Sequence, residues 1–86
     1  MPASAKHVTI RDLAQKIFEG DVMAISSTNE KGAFEILHSH SNFISLIKDK
    51  ITLTNLDGTK QQINLKSGVI RNVNNSVEVF LGVESL

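Results

Sequence analysis

The sequence predicts an all-β fold, a β-sandwich of two antiparallel sheets built from roughly eight to ten short strands. Three observations carry this expectation. Apolar residues alternate with polar ones over most of the chain, turn signals recur about every 8 to 12 residues, and no stretch sustains a long amphipathic helical stripe.

Met1–Lys6 reads as an unstructured tail on a single domain spanning 1–86. Val8 and Ile10 then face one way, as half-buried strand residues do. Ile17-Phe18, a turn at Glu19-Gly20-Asp21 and Val22–Ile25 continue the pattern, so three short strands are expected here. Residues 11–18 also fit a short helix through Leu13, Ile17 and Phe18, which local pattern alone does not exclude. After the polar stretch Ser26–Lys31, Ala33–Leu37 reads as a buried strand and Asn42–Ile47 as a compact apolar knot, with Lys48-Asp49-Lys50 returning the chain to solvent. Ile51, Leu53 and Asn55 alternate with their neighbours before Asp57-Gly58, a turn pair that tolerates positive φ, or a loop one or two residues longer. Ile63 and Leu65 resume the alternation, and Gly68 marks a bend, a bulge or a close backbone approach. Asn74-Asn75-Ser76 is a second hairpin turn rather than a glycosylation site, and Val77, Val79 and Leu81 form the last strand.

Composition narrows the chemistry. Nine basic residues balance nine acidic ones, so no net field gathers nucleic acid or an anionic lipid surface. Tyr and Trp are missing, and Phe18, Phe34, Phe43 and Phe80 sit in apolar runs, which favours core packing over stacking on bases. The lack of cysteine removes disulfides, thiolate metal sites and thiol nucleophiles. All five glycines are isolated, so no phosphate-cradling loop is present. No secretory h-region or membrane-spanning run appears, which predicts a soluble cytosolic chain without direct membrane insertion.

Two constellations could carry catalysis. His38 and His40, two apart on a strand, would point to one face and supply two metal ligands, but His7 is distant and no carboxylate is marked as a companion. Ser26, Ser27, Ser39, Ser41 and Ser45 lie near His40 without a nucleophile elbow, the ordinary picture of turn and edge serines. A small metal-dependent or hydrolytic enzyme built on His38 and His40 is therefore the rival to a docking module, and a free-standing sandwich adaptor is a third reading. The docking reading expects no cofactor, no metal and no catalytic residue.

The segments Phe18-Glu19-Gly20-Asp21-Val22 and Asn29 to His40 resemble the N-terminal β-sandwich of the epsilon subunit of F-type ATP synthases. Gly20, Gly32, Ile36, His40 and Lys48 take the family's places, as do Asp57-Gly58, Gly68, Val77 and Val79, over about Val8 to Leu81. Several positions depart. His38 and Ser39 replace a proline and glycine, Asn42 replaces a proline, and Asp49-Lys50 replaces Pro-Gly. Ala33 stands where an acidic residue usually follows the loop glycine, with Glu35 two places on. Asn72 and Val73 exchange the usual apolar and polar order, which predicts a shifted register or bulge. The sequence ends at Leu86, before the helical hairpin the family usually carries.

The resemblance implies a non-catalytic rotor component that docks on the gamma subunit and rests near the c-ring. It places this component peripherally on the cytoplasmic side of the energy-transducing membrane. His40, Ser41, Asn42 and Phe43 are the implied gamma contact; Glu30, Lys31, Gly32, Ala33 and Glu35 are the implied ring-facing loop. Phe43→Ala is expected to weaken docking more than Glu35→Ala, unless Phe43 belongs to the core.

Overall fold

The computed structural model describes residues 5–36 and 42–82. They form six strands: β1 (Lys6–Arg11), β2 (Lys16–Asn29), β3 (Gly32–Ile36), β4 (Phe43–Asn55), β5 (Lys60–Val73) and β6 (Ser76–Leu81). The order is β1-β6-β5-β4-β2-β3, and an additional β1–β2 pairing closes the sheet on itself. Every pairing is antiparallel except β1–β6, which runs parallel from His7↔Ser76 to Arg11↔Phe80 and joins the first strand to the last.

Two expectations are corrected. Among the described residues there are six strands rather than eight to ten, in one closed sheet rather than two separately bonded antiparallel ones. The miscount comes from turn-like residues that lie inside long strands. Glu19-Gly20-Asp21 is not a turn: β2 runs straight through it, with Gly20 opposite Val8. Glycine suits this position because a Cβ there would stand 3.3 Å from the Phe18 ring. Lys48-Asp49-Lys50 is exposed, as expected, but it does not end a strand. β4 continues through it with Asp49 at φ 73°, and the pairing jumps from Lys48↔Ser67 to Asp49↔Leu65, leaving Lys66 as the extra residue of a bulge. A bulge raises local twist and bends the strand, so one long strand wraps around the closed sheet where two short ones were expected.

The helical alternative over 11–18 is also settled. Asp12 N–H donates to the Gln15 carbonyl, and Asp12 Oδ1 accepts from Ala14 N and Gln15 N at 2.8 and 2.9 Å, making a tight side-chain-stabilised turn between β1 and β2. β1 begins at Lys6, the last residue of the expected tail, whose side chain is buried with Val8 and Ile10. Burial lowers the Lys6 pKa, and Nζ reaches Asn72 Oδ1 and the Asn74 carbonyl, each at 3.4 Å. Asn72 thus points inward in regular register with Val77, so the expected bulge there is absent and its place is a polar contact.

The turns follow their chemistry. Asn29-Glu30-Lys31-Gly32 is a two-residue hairpin in which Asn29 Oδ1 accepts from Lys31 N. Asp57-Gly58 sits in the longer of the two loops expected, closed by Asn55 N to Thr59 O at 2.7 Å. Val73↔Ser76 flanks a two-residue turn with Asn74 at φ 57°, where asparagine is tolerated. Inward alternation assembles the core from Val8, Ile10, Val22, Ile25, Ile36, Ile47, Ile51, Leu53, Ile70, Val77 and Val79. Phe18, Phe34 and Phe43 pack against it, but Phe80 faces outward, against the expectation of four core phenylalanines. Gly68 is the close approach its position implied: a Cβ would lie 2.7 Å from the Phe80 carbonyl oxygen.

Candidate functional site

The β2–β3 turn and the first half of β4 enclose an open groove of about 450 Å³. Asn29, Glu30 and Lys31 line one side, and β4 residues 43–48 line the other. The two sequence-predicted groups, one near Phe43 and one on the turn, are therefore brought into a single feature. Asn29 Nδ2 spans the groove to donate to Ser45 Oγ at 3.2 Å. Phe43 packs edge-to-face on Phe34, with ring centroids 5.9 Å apart, and anchors the base of β4 to the core.

Other predicted residues divide. Asn42 is exposed, and its Oδ1 accepts from Asn74 N at 2.8 Å, tying the start of β4 to the β5–β6 turn. Glu30, Lys31, Gly32, Ala33 and Glu35 are all exposed, but Ala33 and Glu35 lie along β3, opposite Thr28 and Ser26, and do not line the groove. His40 and Ser41, with the possible metal ligand His38, lie outside the described residues. Sequence reasoning missed Ile44 and Leu46, which it read as part of a compact apolar knot. They are 67% and 73% exposed, because a strand buries alternate residues and Phe43 and Ile47 take the inward positions. Their outward neighbours across β5 and β6 are Arg71 and Val69, then Glu78 and Phe80, with Arg71 and Glu78 in an ion pair. The groove and the strip beside it thus present apolar side chains bordered by charge.

A second charged group lies on the β1–β2 seam. His7 Nε2 meets Glu19 Oε2 at 2.7 Å and Nδ1 meets Asp21 Oδ1 at 2.9 Å, while Lys16 Nζ donates to Glu19 Oε1. The hydrogen bonds to Asp21 and then Glu19 raise the His7 pKa, and the bonds from Lys16 and then His7 lower that of Glu19.

The model of the family described as the ATP synthase, delta/epsilon chain, β-sandwich domain matches residues 6–82. The chain belongs to this family. A relative of the delta/epsilon sandwich, the ATP synthase epsilon chain of Clostridium botulinum (strain Eklund 17B / Type B), is 31% identical over 65 residues, covering 74% of this chain and 48% of its own length. Two solved structures share the delta/epsilon fold. One is from the Euglena gracilis mitochondrial ATP synthase, OSCP/F1/c-ring in rotational state 1, with a TM-score of 0.83 at 21% identity over 100% of this chain and 54% of that one. The other is from the Tetrahymena thermophila mitochondrial ATP synthase, central stalk/c-ring, with a TM-score of 0.72 at 11% identity over 88% of this chain and 62% of that one. The chain spans about half the length of the curated relative it matches. No helix among the described residues is long and apolar enough to cross a membrane.

Proposed function

We propose that this chain is a non-catalytic rotor subunit in the central stalk of an F-type ATP synthase, docked on gamma and close to the c-ring, where it helps couple proton translocation to ATP synthesis. The observation that carries the reading is the meeting of Phe43 with the Glu30–Lys31 turn at one groove, on a domain whose family is that of the delta and epsilon chains. A rotor part must transmit torque without deforming, and a closed sheet with the first and last strands paired to each other supplies the stiffness. The whole of residues 1–86 acts as one folding unit. Its long strands bend so that the two walls of the closed sheet serve as the two layers of the family's sandwich. In this reading Asn42, Phe43 and the neighbouring His40 and Ser41 face gamma, and Glu30 to Ala33 and Glu35 face the ring. The subunit is a peripheral part of the complex on the cytoplasmic side of the energy-transducing membrane, with no nucleic-acid partner. Mixing the purified chain with purified gamma should yield a stable complex at micromolar concentration. Failure to form one would remove the rotor assignment.

A further inference from the structure

Among the described residues, the first half of β4 is an open strand edge. β2 leaves β4 at the Thr28↔Lys48 pair, and from Ile47 back to Ile44 the strand partner among the described residues is β5 alone. Natural sheets protect such edges with charge, proline or a bulge, because open main-chain groups beside apolar side chains invite another strand. Here the sequence is Ile44-Ser45-Leu46-Ile47, uncharged and without proline, and Ile44 and Leu46 stand out from it into solvent. The groove runs along this edge, and the Asn29–Lys31 turn forms its far wall. Two cations line it, Lys31 and Lys48, against one carboxylate, Glu30, and none of the three is in an ion pair among the described residues.

We infer that residues 44–47 of β4 are a strand-addition site: an extended segment of the docking partner pairs with this edge through its main chain, lays apolar side chains beside Ile44 and Leu46, and carries a carboxylate that meets Lys31 and Lys48. Strand addition follows from the geometry, since an open edge beside a groove admits an extended chain whose hydrogen bonds give affinity and whose alternate side chains give specificity. The acidic residue follows from the unpaired lysines, which leave the groove with one excess positive charge. This rests on the gamma-docking reading and specifies how that docking is made.

The test combines binding and amide exchange on the full chain with purified gamma. Leu46→Lys should weaken binding by at least about tenfold, as loss of a central apolar anchor does. Leu13→Lys, a change at a 95% exposed leucine in the β1–β2 turn, should leave binding unaltered. Circular dichroism should show both variants folded, since both side chains lie in solvent. The amides within 44–47 whose N–H groups point away from β5 should become protected in the complex. A wild-type complex in which these amides exchange as in the free chain, with Leu46→Lys binding normally, would overturn strand addition while leaving gamma docking intact. No wild-type complex would overturn the docking reading itself. Protection of the same amides already in the free monomer would assign the edge to another part of this chain. Protection that rises with concentration would assign it to a second copy. Either result refutes the proposal.

Discussion

His7 shows how a single exposed side chain acquires a role from its cross-strand neighbours. Its register places it opposite Asp21, with Glu19 two residues along β2, and the two carboxylates raise its pKa. A value raised on folding stabilises fully below the unfolded histidine value of about 6.5, and that stability is lost as pH rises through the folded value. Glu19 is held low instead, so its contribution is present above the unfolded value of about 4.3 and is lost as pH falls through the folded one. The clamp therefore stabilises most between about pH 4.5 and 6.5. All its members are exposed and screened, so the effect is small and salt-sensitive. A His7→Gln variant should melt below wild type at about pH 6, and the gap should close by about pH 9 or in about 1 M salt. A gap that persists unchanged would mean the imidazole acts by packing. Gly68 is the other residue on which local structure depends. Adding a methyl at 2.7 Å from the Phe80 carbonyl forces β5 and β6 apart, so Gly68→Ala should cost roughly 1 to 3 kcal/mol in urea denaturation.

At the level of elements, β4 serves two ends. Its second half, with Ile51 and Leu53 fully buried, is core, and Leu53→Ala should cost about 2 to 5 kcal/mol. Its first half is anchored from beneath by Phe43 and exposed above through Ile44 and Leu46. Phe43 packs on Phe34 and against the core, so it has a scaffold role whatever else it touches. Phe43→Ala should therefore lower stability by roughly 1 to 3 kcal/mol, read by chemical denaturation, and any loss of docking should track it. Glu35→Ala, an exposed change on β3, should stay within about 0.5 kcal/mol. The sequence marked β4 as apolar, but it did not show that one strand has a half flanked by β2 and β5 and a half flanked, among the described residues, by β5 alone. That division depends on which strands flank each half, a tertiary fact.

For the whole molecule, closure matters most. β1 pairs with β2 on one side and with β6 on the other, so it is the seam of the closed sheet. Its parallel partner β6 lies at the opposite end of the chain, and such non-local pairing must wait for the chain to collapse. Refolding should accordingly fall in the millisecond-to-second range by stopped-flow, slower than helical domains of this size. Deleting residues 1–11 should abolish cooperative folding, because both seams are lost together. A deletion variant that still shows a cooperative unfolding transition would mean that the remaining strands form a self-sufficient sheet.

The sequence by itself determined the all-β class, the hairpins at Asn74-Asn75 and around Asp57-Gly58, most of the inward-facing core and the family resemblance, because period-two alternation and turn chemistry are local properties. It misread Glu19-Gly20-Asp21 as a turn and did not show that β4 runs on through the exposed Lys48-Asp49-Lys50; polar or glycine residues sit inside these strands because a cross-strand clamp or a bulge accommodates them. Only the tertiary structure decided that β1 and β6 pair in parallel, that Asn72 meets a buried Lys6, and that Ile44 and Leu46 face solvent beside the turn at Glu30. Each of these depends on which distant strand lies alongside, and strand neighbours are chosen by closing the whole sheet rather than by any short stretch of it.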